Sequence, residues 1–296
     1  MHARPTASDR DQRGSGRPVQ DLDGFCSRSA WASGWLQVMI DANSVFRPDP
    51  IAYLDGVAAS LPGQAYKQRV LHLLDLHPGQ CVLDIGCGPG TDLAAMAAAV
   101  APGGRVIGVD RDPAMIAEAQ ARVAEHPLVE VRSGDVHALP LEDGSVDRAR
   151  TDRVLQHVAD PARVLSEFRR VARPGGRIVM AEPDWDGLLI DSPQPARSRE
   201  LTRFITGEVV RNATVGRSLA RLCVESGLSV RSVLTVAPVF RDFAVADQIF
   251  GLRRNAARAA DAGYLDGDAA QWIETLASGP FLATALLFLV TAEVPA

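Results

Sequence analysis

The sequence predicts an α/β fold, a doubly wound and mostly parallel sheet, and three observations carry that prediction. From Cys81 onward, short apolar runs alternate with amphipathic helical stretches of 9–13 residues. Such alternation needs right-handed crossovers between parallel strands. The helical stretches carry start and stop signals at the right places. Finally, the run Val82-Leu83-Asp84-Ile85-Gly86-Cys87-Gly88-Pro89-Gly90 passes from buried strand to tight turn, and a helix begins near Thr91. Glycine at every second position lets the backbone turn sharply and approach a ligand that a Cβ would block.

Taken in order, residues 1–22 are polar and arginine-rich and read as a disordered tail without an apolar signal stretch. Residues 23–75 read as helices, with Trp31, Trp35, Met39 and Ile40 recurring at helical spacing, and later Val70, Leu71 and Leu74. Strands are expected at 81–85, 105–109, 129–133, 146–151 and 176–181, and helices at 92–100, 113–125 and 161–172. Asp112-Pro113 and Asp160-Pro161 each place an N-cap before a proline at the first helical position. Pro174-Gly175-Gly176 should stop the third helix before the next strand. Residues 183–255 are less regular and read as a cap, with a helix from Gly216 to Ser226 and a strand at 228–237. The stretch 245–277 looks helical, and Phe281 to Val290 forms the last strand.

Composition excludes several functions. With a net charge of −5 and a pI near 5.7, the chain has no basic surplus for nucleic acid. The longest apolar run, Phe281–Val290, is about half of what a membrane span requires. The four cysteines are scattered without metal spacing, so no metal is expected, and their use suits a reducing cytoplasm. Only Lys67 among the 31 basic residues is lysine; we read the arginine excess as codon bias of a GC-rich genome.

Ligands of parallel sheets bind outside the carboxyl ends of the strands. The residues there are Asp84, Asp110, Asp135, Thr151-Asp152-Arg153 and Glu182. Asp110 follows Gly90 by 20 residues and can accept hydrogen bonds from both hydroxyls of a ribose. The turn does not read G-x-G-x-x-G, because Thr91 occupies the third glycine's place, and no nucleoside-triphosphate loop is present.

The Val82–Gly90 segment resembles the first motif of the class I S-adenosylmethionine-dependent methyltransferases. Gly134-Asp135-Val136, Val154-Leu155-Gln156-His157-Val158-Ala159-Asp160-Pro161 and Arg173-Pro174-Gly175-Gly176 extend the resemblance to the ubiquinone/menaquinone-type small-molecule group over roughly residues 78–182. The resemblance implies a Rossmann-like seven-stranded sheet with an antiparallel last strand, a domain over 76–296 and a cap insertion at about 183–255. It implies S-adenosyl-L-methionine as cofactor and S-adenosyl-L-homocysteine as product. Asp135 would then accept from the adenine amino group while Val136 packs on the ring. The expected cofactor site is Asp84, Gly86, Cys87, Gly88, Gly90, Asp110, Arg111, Asp135, Val136, Thr151 and Arg153. Val146-Asp147-Arg148-Ala149-Arg150 departs from the pattern, with two arginines where the family is often apolar.

The expected activity is methyl transfer to oxygen, nitrogen or carbon of a small, hydrophobic metabolite, such as one of bacterial secondary metabolism. His157 and Glu182 are the candidate bases, with local hydrogen bonding as the plainer role for His157. The alternatives are a non-catalytic module of the same fold that binds cofactor or partner, and a nicotinamide-dependent oxidoreductase. Phe25, Trp31, Trp35, Met39, Phe46 and Tyr53 give the N-terminal segment a large apolar load. We expect residues 23–75 to roof the acceptor as a lid, the other possibility being a homo-oligomer contact.

Overall fold

The computed structural model describes residues 49–296. The expected tail, the first part of the expected lid to residue 48, and the aromatics Phe25, Trp31, Trp35 and Phe46 with Met39 lie outside the described residues.

Two helices come first, α1 (Pro50–Ala59) and α2 (Leu61–Leu74). Each starts on an oxygen cap followed by proline, from Asp49 to the Ile51 amide and from Ser60 to the Gly63 amide. Helix α2 belongs to the packing of the sheet: Tyr66, Val70 and Leu74 are buried with Val82, Leu93 and Val106. Helix α1 lies further out and bridges two parts of the chain. Asp55 accepts a two-pronged ion pair from Arg122 at 2.7 and 2.8 Å. On the other side Tyr53 donates to the Ile249 carbonyl at 3.4 Å, and Gly56 lies against the Gln248 amide.

The α/β alternation follows as expected: β1 (Cys81–Ile85), α3 (Leu93–Val100), β2 (Arg105–Asp110), α4 (Pro113–Arg122), β3 (Val129–Ser133), β4 (Val146–Asp152), α5 (Pro161–Val171) and β5 (Ala172–Ile190). Then come α6 (Pro195–Phe204), a π-helical turn at Ile205–Val209, α7 (Val215–Glu225), β6 (Ser229–Val236), β7 (Val239–Phe240), α8 (Phe243–Phe250), α9 (Leu252–Asp261), α10 (Ala269–Ser278) and β8 (Ala283–Glu293). The sheet order is β3-β2-β1-β4-β5-β8-β6. These are the expected seven strands, with β8 antiparallel to both neighbours. The two-residue β7 joins the start of β8 as an eighth.

Successive strand residues face opposite layers. Leu83, Ile85, Ile107, Ile178 and Met180 pack with α5 and α7 through Phe168, Leu165 and Leu219. Val82, Val106, Val179 and Ala181 face α2 and α3 on the other side. That is a doubly wound sheet.

Two sequence expectations are corrected, and a third, strand β4, holds despite its departure from the family pattern. Strand β5 has 19 residues rather than six, because Gly175 donates to Val294 and Val294 to Gly176 at its start, and Glu182–Asp184 with Leu189–Ile190 pair with β8 at its end. The helical stretch 245–277 is three helices, broken at Gly251 (φ +60°) and around Gly263 (φ +76°). Strand β4 is central and buried despite its arginines: Arg150 is 3% exposed and ion-paired, while Arg148 reaches the sheet's amino end and donates to the Leu74 carbonyl at 2.9 Å. The helices after β5 share a third core of Phe204, Phe243, Phe250, Trp272 and Phe281. No described helix is long and apolar enough to cross a membrane.

Candidate functional site

At the carboxyl end of β1 the chain hooks under β2: the amides of Gly86 and Cys87 both donate to the Val109 carbonyl, at 2.7 and 3.1 Å. Gly86, Gly88 and Gly90 all have positive φ, at +65°, +54° and +79°. Their surroundings differ. A Cβ on Gly86 would lie 2.3 Å from a Val154 methyl, and one on Gly90 3.1 Å from Ala119 and Leu93. At Gly88 the sole neighbour among the described residues would be a Leu54 methyl of α1, at 3.3 Å. Gly86 and Gly90 are needed for packing, whereas a Cβ on Gly88 would meet only the flexible end of Leu54 among the described residues.

Asp110, the last residue of β2, fastens this turn. Its Oδ2 accepts from the Gly88 amide at 2.9 Å, and its Oδ1 accepts from the amides of Arg111 at 2.7 Å and Asp112 at 3.0 Å. Asp112 caps α4 through the Ala114 amide, as its sequence position predicts. One strand further out, Asp135 follows β3 with its side chain largely exposed. The His137 amide, burial and the His137 ring act on its carboxyl, with a net shift below the usual carboxylate range.

Beneath the glycine turn is a buried ion cluster that motif reading did not find. Arg150 donates to Asp84 at 2.9 Å and to Asp92 at 2.6 Å. Lys67 of α2 binds Asp92 and, at 3.2 Å, Asp152. Tyr66 and Arg153 also donate to Asp152, at 3.2 Å each. Burial pushes Asp84 up to about 6, against the pull of Arg150. For Asp152 burial is overcome by Lys67, Arg153 and Arg150, which hold it well below its ordinary value. The signal in the sequence was Lys67 itself, the chain's single lysine, three and seven residues before Val70 and Leu74 on the buried stripe of α2.

The remaining candidates stand at the ends of β4 and β5. Thr151 is fully buried, and its hydroxyl has no partner among the described residues. Arg153 takes a left-handed backbone, φ +58°, and its amide donates to Ala181 at 2.8 Å. Such a conformation in a non-glycine residue points to constraint at a site. Cys87 is buried beside the turn, and burial pushes its thiol up. His157 turns its amide to the Val154 carbonyl at 2.9 Å. The surrounding protein, then Arg153 and Arg111, hold its imidazole down to about 4, even though the residue keeps an exposed edge. Glu182 is fully enclosed and accepts from the amides of Val154 at 2.9 Å, Leu155 at 2.8 Å and Gln156 at 3.3 Å. Among the described residues, no group of His, Cys, Asp or Glu is placed to hold a metal ion.

Burial pushes Glu182 up to about 8, only partly offset by those three amides. A carboxyl raised above its ordinary 4.5 holds its proton more tightly in the folded chain. Its contribution to stability is full below pH 4.5 and is lost as pH rises through about 8. His157 has the opposite sign, its contribution being lost as pH falls from 6.5 through about 4. Of these two groups only Glu182 acts between 6.5 and 8. The melting temperature should fall across that interval and stay nearly level in Glu182→Gln. Thermal melts at the two ends check this, and equal declines would remove Glu182 as the cause.

The family described as "Methyltransferase domain" matches residues 76–227. The 37.1 kDa protein in transposon Tn4556 of Streptomyces fradiae, whose name carries no activity, is 53% identical over 83% of this chain and 72% of its own length. A protein of Mycolicibacterium smegmatis named for S-adenosylmethionine-dependent methyl transfer is 37% identical over 57% of this chain and 58% of its own. The chain thus spans little more than half of that second relative. Among solved structures, the YcgJ protein of Bacillus subtilis superposes with a TM-score of 0.59 at 16% identity, covering 79% of this chain and 99% of that one. That likeness is one of fold.

Proposed function

Because the chain belongs to the methyltransferase-domain family, we propose that it moves a methyl group from S-adenosyl-L-methionine to a small acceptor and releases S-adenosyl-L-homocysteine. The observation that carries this reading is the placement of Asp110. It stands between the Gly88 amide and the start of α4, beside the glycine of the turn whose Cβ would meet, among the described residues, only the end of the Leu54 side chain. A carboxylate there suits the two hydroxyls of a ribose, and the bare Gly88 backbone suits close approach of the rest.

Each site residue then has a part. Gly86, Cys87, Gly88 and Gly90 form the turn, and Asp84 sits buried behind it, neutralised by Arg150. Asp110 and Arg111 take the ribose side, while Asp135 and Val136 take the base. Thr151 and Arg153 end β4 on the amino-acid side, where the strained Arg153 backbone fixes its guanidinium beside Asp152. When bound, the sulfonium cofactor supplies a methyl that is already activated, so the protein's work is placement and the exclusion of water.

Of the two candidate bases, His157 is the one with an accessible ring. With its imidazole held neutral it can accept a proton from a hydroxyl or amine of the acceptor. Glu182 serves as a positioning residue, since both its oxygens hold the amides that shape the Val154–Gln156 loop. The acceptor end lies toward the cap. Trp185 packs edge-on to Phe250 at 6.2 Å and donates to Gln156 at 2.8 Å, offering an apolar wall for a hydrophobic metabolite. Of the proposed lid over residues 23–75, α1 and α2 are described: α1 places Leu54 over Gly88, while α2 packs into the sheet and does not roof the site.

Asp110→Ala should weaken S-adenosylhomocysteine binding by about 10- to 100-fold, because it removes the ribose acceptor and the brace on the Gly88 amide together. Calorimetry with the native protein and the variant tests the reading, and unchanged affinity would falsify it. In the same preparation S-adenosylhomocysteine should raise the melting temperature and NAD should not.

A further inference from the structure

Asp135 does not stand alone at the end of β3. Its Oδ1 accepts twice from His137, from the amide at 2.9 Å and from ring Nδ1 at 2.7 Å. The other ring nitrogen, Nε2, accepts from the Asp160 amide at 3.3 Å. That bond settles the tautomer: Nε2 carries the lone pair and Nδ1 the proton, so the ring donates to Asp135. His137 is itself tied down. Its carbonyl accepts from Arg163 Nε at 3.0 Å, and Asp160 caps α5 through the Arg163 amide at 3.1 Å. The ring is therefore a strut between the N-terminus of α5 and one oxygen of an otherwise exposed carboxylate. Asp135 Oδ2 has no partner among the described residues.

We propose that His137 is a positioning residue for recognition of the nucleobase. By holding Oδ1 it fixes the Asp135 carboxylate in one rotamer. Oδ2 is left as a lone acceptor, which selects a purine bearing a 6-amino donor over one bearing a 6-oxo group. The inference rests on the reading above, in which Asp135 faces the base. An unheld aspartate on an exposed turn spreads over its staggered rotamers and loses freedom when it binds. One held by a neutral donor keeps its charge and has already lost that freedom. A 6-oxo purine would set a carbonyl oxygen against Oδ2, two acceptors without a proton between them. The discrimination follows from the unpaired polar group and exceeds what shape provides.

The test compares S-adenosylhomocysteine with its deaminated analogue, S-inosylhomocysteine, by calorimetry. Native protein should prefer the amino form strongly. His137→Ala should bind S-adenosylhomocysteine about tenfold more weakly and the inosyl analogue nearly as before, so the preference falls by about that factor. His137→Asn, whose side-chain amide can stand in for the Nδ1 donor, should recover most of it. An equal loss for both ligands would make His137 merely structural and overturn the proposal, as would an unchanged preference in His137→Ala. Asp135→Ala separates the two levels. If it leaves S-adenosylhomocysteine affinity intact, the placement of the base at Asp135 fails. If it abolishes the preference while His137→Ala keeps it, the strut alone fails.

Discussion

Arg150→Met is expected to destabilise the protein by about 3–5 kcal/mol. The guanidinium is 3% exposed and holds two carboxylates, Asp84 and Asp92, that are themselves buried. Removing it leaves those charges without their main partner in a medium that solvates them poorly. For a chain of this size the loss corresponds to about 6–20 °C in melting temperature. Most of that cost is the uncompensated charge of the partners, not the worth of the pair itself. The triple variant Asp84→Asn, Asp92→Asn, Arg150→Met should therefore be more stable than Arg150→Met alone. Melts of both proteins decide the matter. A drop of only a degree or two in the single variant would mean that the carboxylates take up protons, or rearrange, at little cost.

The second large effect is on binding. Gly88→Val should reduce S-adenosylhomocysteine affinity by more than about 100-fold, because two methyls would occupy the space beside the turn and a β-branched residue resists φ +54°. The fold should persist with a melting temperature only a few degrees lower, since strain at one left-handed residue costs about 1–3 kcal/mol. Gly86→Val is the contrast. Its Cβ would lie 2.3 Å from Val154, so that variant should lose the fold together with binding. Leu54→Ala added to Gly88→Val separates collision with helix α1 from collision with ligand. Affinity restored by that second change would show that α1, not the ligand, fills the space beside Gly88.

The parts of this chain that could be read in advance are those whose causes are local. The Asp112-Pro113 and Asp160-Pro161 caps, the glycine turn and the alternation of strand and helix each depend on residues within a few positions. They appear in the structure nearly where periodicity puts them. Strand β5 outran its expected end because its extension is paired by β8, about a hundred residues away in sequence, and no local signal encodes a partner. Arg150 read as a misfit in a buried strand because its partners Asp84 and Asp92 precede it by 66 and 58 positions. Glu182 was legible as an acid at a strand end, but not as the acceptor of three amides from the loop after β4. The strut from His137 to Asp135 spans two residues and still escaped notice, since a histidine beside an aspartate in a turn is unremarkable until α5 is seen to hold its far side.

Besides its packing on α2, helix α1 places Asp55 on Arg122 of α4, Leu54 over Gly88, and Tyr53 and Gly56 against Ile249 and Gln248 of α8. The first two lie beside the glycine turn and α4, the third on the helix after β7. A rigid helix of ten residues cannot release one set of contacts without straining the other. On the proposed reading, exchange of the nucleotide past Leu54 and loosening of the contacts to α8 should therefore be one event. Under turnover this couples traffic at two doors. If the proposed cofactor and acceptor sites hold, departure of spent cofactor and of methylated product should be coupled through α1, and high salt, which screens the Asp55–Arg122 pair, should quicken both by the same factor.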